Sequence, residues 1–212
     1  MERRQGMGYR LAIFDVDGTL ANSLPWFAEV LNDTADRFGF RRTDAAEREA
    51  LRALGAREII RRLGVPPWKL PLIARHMRRQ KALAAHRVPL FEGASELLRQ
   101  LARRGITLAI VSSDSEASIR VTLGPDAALI SYFECSAALF GKRRKLLAIL
   151  RRAGVPAGDA IYIADELRDA EAAQEAGIAF GAVAWGYATP AALEARHPLA
   201  LFHDFDGIAA RL

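Results

Sequence analysis

From Phe91 onward the chain alternates short apolar runs with amphipathic stretches, which leaves few folds open. Ile106 to Val111, Ala160 to Ala164 and Ala179 to Trp185 read as buried strands, with a short strand expected at Glu134 to Ala138 and a weak one at Leu199 to Phe202. Helices are predicted over Gly93 to Arg104, Ser115 to Leu123, through Leu146, Leu147, Leu150 and Ala153, over Asp169 to Ala176, from Pro190, and at the C-terminus. Glycines at 105, 154 and 177 close three of them. Strands alternating with helices imply an α/β fold, a doubly wound parallel sheet covered on both faces. Ligands bind such sheets beyond the carboxyl ends of the strands, so the chemistry is sought just after each strand.

The first strand, Leu11-Ala12-Ile13-Phe14, runs into Asp15-Val16-Asp17-Gly18-Thr19-Leu20. Carboxylates at i and i+2 of an extended segment share one side. Two like charges there are costly unless a cation lies between them or one of them carries a proton. Gly18 lets backbone N–H groups approach an anion, and Thr19 adds a hydroxyl, so the turn suits a phosphate and a hard cation together.

Other strand ends carry further polar groups. Ser112, Ser113, Asp114 and Ser115 follow Val111 and form a phosphate cradle or an ordinary N-cap. Gly141-Lys142-Arg143-Arg144-Lys145 opens the next helix, where a basic run opposes the helix dipole. Asp165, Glu166 and Asp169 follow Ala164.

Residues 21 to 90 read differently, as about four helices without strands. Leu24 to Phe38 has Pro25 in its first turn and Gly39 at its end; a second helix holds Leu51 and Leu54, a third Ile59, Ile60 and Leu63, and a fourth runs from Leu70 to Ala85. Of the net charge of +5, this segment carries 14 Lys/Arg against 7 Asp/Glu, so the remainder is slightly acidic. An inserted basic unit suits an anionic ligand. Nucleic acid is disfavoured because aromatic residues do not interleave with the basic ones. Trp26 and Trp68 are expected in the core of this unit, and Arg61-Arg62 with Arg78-Arg79-Lys81 on one solvated face. The four histidines lack metal-ligand spacing.

No apolar run approaches the length of a membrane helix, and no apolar stretch typical of a secretory signal follows the N-terminal charges. With a single cysteine, Cys135, expected as a small buried hydrophobe, a cytoplasmic location is anticipated.

Taken in order, the acid pair, the hydroxyls, the lysine and the second acid group resemble the four motifs of the haloacid dehalogenase-like phosphohydrolases. The matching stretches are Asp15 to Leu20, Ile110-Val111-Ser112-Ser113, Phe140-Gly141-Lys142 and Ile163-Ala164-Asp165-Glu166-Leu167-Arg168-Asp169. Its phosphoglycolate phosphatase-like members are the nearest likeness. The resemblance implies a Rossmann-like core at residues 8–22 and 91–212 with an inserted α-helical cap at 23–90. It further implies a phosphatase that acts on a small phosphorylated metabolite through an aspartyl-phosphate. Asp15 would be the nucleophile and Asp17 the acid and base; Ser112, Ser113 and Lys142 would hold phosphate. Mg²⁺ would sit on Asp15, the Asp17 backbone carbonyl and Asp165, supported by Asp169.

Asp17 argues against a dehalogenase, which lacks that acid. A phosphomutase shares every motif, and a nucleic-acid- or partner-binding protein on the same scaffold is the non-catalytic alternative. Ala164 stands in place of the usual glycine, Asn22-Ser23 in place of Asp-Ser, and Glu92 in place of a frequent proline. In the cap, Gly55-Ala56-Arg57 resembles a substrate-reading loop. Arg57 then binds the substrate's distal anion, or else pairs with Glu58 or solvent.

Overall fold

The computed structural model describes residues 8–135 and 141–212. Six strands, β1 (Leu11–Phe14), β2 (Thr107–Ser112), β3 (Ile130–Cys135), β4 (Ala160–Ala164), β5 (Ala179–Val183) and β6 (Ala200–Phe202), form one sheet. Its order is β3-β2-β1-β4-β5-β6 and every pairing is parallel. That is the doubly wound, Rossmann-like order, reversing direction beside β1. β1 and β4 lie at the centre with every residue buried, as expected of strands covered on both faces.

Side-chain alternation along β1 separates two cores. Ala12 and Phe14 pack on one side with Leu97, Leu98, Leu101 and Ile119, while Leu11 and Ile13 pack on the other with Leu146, Ile149 and Tyr162. Helices α5 (Ala94–Arg103), α6 (Glu116–Leu123), α7 (Lys142–Ala153) and α8 (Leu167–Ala176) follow β1, β2, β3 and β4 in sequence. The short α9 (Pro190–Glu194) and α10 (Phe205–Arg211) complete the tail.

Between β1 and α5 come only helices and short 3₁₀ turns: α1 (Leu24–Phe38), α2 (Ala45–Leu51), α3 (Ala56–Arg62) and α4 (Leu70–Ala84). The chain leaves and re-enters this segment side by side. The Asn22 N–H donates to the Pro89 carbonyl and the Phe91 N–H to the Leu20 carbonyl, both at 2.9 Å. The segment has its own small apolar cluster of Leu51, Leu63 and Val65.

Several expectations change. β3 begins at Ile130, because Ile130 and Phe133 are buried against the sheet. Residues 136–138 of the expected strand, and Phe140, lie outside the described residues. β5 stops at Val183, since the chain turns there to bring Trp185 onto Phe205, 4.8 Å between ring centres. Trp68 is not core: it is 76% exposed, on a 3₁₀ turn after Pro66 that has no buried residue. No helix among the described residues is long and apolar enough to cross a membrane.

β5 also holds a position with no room to spare. A Cβ at Gly181 would meet Phe202 at 2.7 Å and Ile163 at 3.4 Å. Gly181→Val is therefore expected to cost about 1–3 kcal/mol through overpacking, read as a lower urea midpoint at unchanged m-value.

Candidate active site

Strand register decides what meets at the sheet edge. Phe14 lies opposite Ile110 on β2 and Ile163 on β4, so the chain just beyond those positions brings Asp15, Ser112 and Asp165 together. Asp15 is buried; its Oδ1 accepts the Val16 N–H at 2.8 Å and its Oδ2 meets Lys142 Nζ at 2.5 Å. Lys142, the first residue of α7, also reaches Asp169 Oδ1 at 2.5 Å. Tyr162 donates its hydroxyl to that same oxygen at 3.1 Å.

Asp165 is fully buried and accepts from two neutral donors, the Thr19 hydroxyl at 2.7 Å and the Tyr187 N–H at 2.7 Å. Oxygens of Asp15, Asp165 and Asp169 lie within 4.8 Å of one another. Three buried carboxylates, two of them in direct contact with the Lys142 ammonium, form a donor set of hard oxygens that fits a divalent cation. Its electrostatics carry the same signature. Burial first, then the charges of Glu166 and Asp15, push the Asp165 carboxyl well above the usual range. Burial likewise raises Asp169 to about 6, although Lys142 opposes it. Burial would lower the Lys142 ammonium, but Asp15 and Asp169 outweigh it and raise it.

Two close backbone approaches shape the Asp165 pocket. Gly18 has φ +76°, and a Cβ there would lie 2.3 Å from Asp165 Oδ2. At Gly186 a Cβ would lie 2.1 Å from the Asp165 Cβ, so this turn after β5 must also be glycine. Gly186 carries no local signal in the sequence, because its constraint comes from an acid 21 positions earlier.

Asp17 departs from its neighbour. Its carboxylate pairs with Lys81 of α4, which also reaches Asp114 Oδ2 at 3.5 Å, and it stands apart from the three clustered acids. Asp15 and Asp17 therefore answer to two different cations. Lys81 is only 4% exposed, which corrects the expectation of a solvated basic face; Arg61 and Arg62 do stay exposed on Glu58. Its Nζ lies 5.3 Å from the centre of the Trp26 ring. The signal was present in the periodicity. Leu70, Ile73, Ala74, Met77, Arg78 and Lys81 fall at i, i+3, i+4, i+7, i+8 and i+11, one helical face. Burial, then the Asp17 charge, raises the Asp114 carboxyl to about 7.

Of the expected phosphate groups, Ser112 is buried and its hydroxyl accepts the Asp114 N–H at 3.1 Å, while Ser113 lines the cavity above the acids. Ser115 is the N-cap of α6, accepting the Ser118 N–H. Lys145, also buried, donates to the Ser112 carbonyl. Arg57 is exposed. Gly55 and Ala56 line the cavity with Arg48 and Arg52, whereas Arg57 itself does not, and the Glu58 suggested as its partner binds Arg61 and Arg62. Arg52 bridges the helical segment to the sheet-bearing part, donating to the Tyr187 and Gly186 carbonyls at 3.1 and 3.0 Å.

Comparison with known proteins agrees with this arrangement. Residues 12–183 match the haloacid dehalogenase-like hydrolase family. A phosphoglycolate phosphatase from Synechococcus elongatus is 35% identical over 177 residues, covering 82% of this chain and 84% of its own. A structure from Lactobacillus plantarum, described as a candidate phosphoglycolate phosphatase, superposes with a TM-score of 0.84 at 23% identity, over 97% of this chain and all of its own. CbbY from Rhodobacter sphaeroides, solved with phosphate, has a TM-score of 0.69 at 25% identity, over 93% and 95% of the two chains. With sequence and fold shared over most of its length, the chain belongs to the haloacid dehalogenase-like hydrolase family and is a phosphatase of the phosphoglycolate phosphatase-like kind.

Proposed function

We propose that the protein hydrolyses a small anionic phosphate monoester through an aspartyl-phosphate on Asp15, with Mg²⁺ as cofactor. The observation that carries this is the buried Asp15 carboxylate at the end of β1, beside Lys142 and within reach of Asp165 and Asp169. The substrate class is supported by the relatives named phosphoglycolate phosphatase and by the basic excess of the helical segment. Residues 8–22 and 91–212 form the catalytic core in this reading, and 23–90 the cap.

A carboxylate oxygen of Asp15 attacks phosphorus as the bond to the leaving oxygen breaks, and Asp17 protonates that oxygen. In the second half Asp17 takes a proton from water, whose oxygen attacks phosphorus and frees Asp15 with release of phosphate. Lys142 offsets the charge of nucleophile and phosphoryl group together. Ser112, whose hydroxyl oxygen already accepts the Asp114 N–H, has its own proton left to donate to a phosphoryl oxygen. Ser113 supplies its backbone N–H. Asp15, Asp165 and the Asp17 carbonyl would hold Mg²⁺, with Asp169 behind them; when bound, the ion neutralises charge developing on the phosphoryl oxygens. Lys81 links the orientation of Asp17 to the position of the cap. Arg57 meets the substrate's distal anion from the rim, an assignment supported by the place of Gly55 and Ala56 in the cavity wall.

Asp15→Asn is expected to lower Mg²⁺-dependent phosphate release by about three orders of magnitude or more while leaving the circular dichroism spectrum unchanged. Chelation should silence the wild type, and added Mg²⁺ should restore it. Near-normal turnover in the variant would contradict the nucleophile assignment.

The acid cluster also links the cation to stability. An acid whose folded-state pKa is raised takes up a proton on folding. Its contribution is complete below the unfolded value near 4 and is lost as pH rises through the folded value, about 6 for Asp169. A divalent cation offsets that loss. The rise in thermal midpoint on adding Mg²⁺ should therefore be several degrees larger at about pH 7.5 than at about pH 5. A rise independent of pH would argue that the ion binds elsewhere.

A further inference from the structure

We infer that the cavity leading away from the acids is an apolar channel for the leaving group, so that the enzyme also hydrolyses phosphate monoesters of extended apolar alcohols. This rests on the phosphatase reading above and enlarges its substrate class. The cavity measures about 540 Å³. That lies within the roughly 300–1,000 Å³ typical of sites for drug-sized ligands, whereas a small acid phosphate would occupy only its polar end.

Polarity is graded along the channel. At one end stand Asp15, Asp17, Ser113, Asp114 and Lys81. Phe40, Leu54, Ile59, Ile60, Leu63 and Ile73 wall the part inside the helical segment. The lining face of α4 records the gradient on one element: Lys81 and Arg78 sit toward the acids, and Met77, Ala74, Ile73 and Leu70 follow. From Lys81 to Leu70 the helix rises about 16 Å, which sets the scale of the chain that can be laid along it.

The apolar wall is incompletely covered by the protein itself. Helix α3 has no buried residue, although its Ile59 and Ile60 face the cavity, and Phe40, Leu54, Leu70 and Ile73 are likewise only partly buried. A hydrocarbon chain in the channel removes these surfaces from water along with its own. Two of the lining cations are already engaged and leave the wall's character apolar. Arg48 donates to the Thr43 carbonyl, and Arg52 pairs with Glu49 and the carbonyls of Gly186 and Tyr187.

The test is the chain-length dependence of kcat/KM for n-alkyl phosphates from methyl to octyl, in Mg²⁺ and below micelle formation. Along this series the leaving-group chemistry is nearly constant, so the trend reports burial of the chain. The efficiency should rise about two- to fourfold per methylene before levelling, and at least about thirtyfold overall. Ala74→Trp, which fills the middle of the channel, should flatten the octyl-to-methyl ratio. p-Nitrophenyl phosphate separates the two claims. Release from it together with a flat or falling alkyl series would overturn the channel and leave the phosphatase reading intact. Release from no ester at all would overturn both.

Discussion

The structure depends on how three carboxylates are kept together out of water. Asp15, Asp165 and Asp169 are buried within 4.8 Å of one another, with the Lys142 ammonium paired to Asp15 and Asp169. Taking ions out of water costs several kcal/mol each, and like charges add to that cost, so such a cluster persists only where the surrounding fold over-determines it. The covering is specific: β1 and β4 set the acids at one edge, Tyr162 and Thr19 donate hydroxyls to them, and two glycine turns close over Asp165. The carboxylate oxygens gathered there form a donor set that a divalent cation would fit.

The helical segment supplies the other half of the charge pattern. Lys81 reaches from α4 to Asp17, and Arg52 reaches from the residue after α2 to the turn holding Gly186 and Tyr187. Tyr187 is itself tied to the segment, its hydroxyl 3.1 Å from Ser23 Oγ and its ring edge-on to Phe27. The turn that clasps Asp165 is thus the turn the helical segment holds. Movement of that segment would be felt at the clustered acids and at Asp17 together.

Much of this was legible in the sequence because the information is local. Strand, acid and turn occur within the ten residues from Leu11 to Leu20, and the order of polar groups after successive strands follows from the parallel topology. Helices α1 and α4 and strand β4 were fixed by apolar periodicity with proline and glycine punctuation. What escaped depends on distant parts of the chain. The periodicity of α4 places Lys81 on its apolar face, but the partner that holds its charge there, Asp17, lies in a distant part of the chain. The need for glycine at 186 comes from Asp165. Trp68 carries a strong hydrophobic expectation, yet the 3₁₀ turn that Pro67 opens leaves it in solvent.

The central claim is a covalent phosphoryl group on Asp15, and it is tested most directly by trapping it. An Asp17→Asn variant, which retains the nucleophile but lacks the base for the second step, is mixed with an activated aryl phosphate and Mg²⁺, quenched in acid and digested. Mass spectrometry should find one phosphoryl group on the peptide containing Asp15 and on no other. A phosphoryl group on a different residue, or phosphate release with none trapped, would contradict the account.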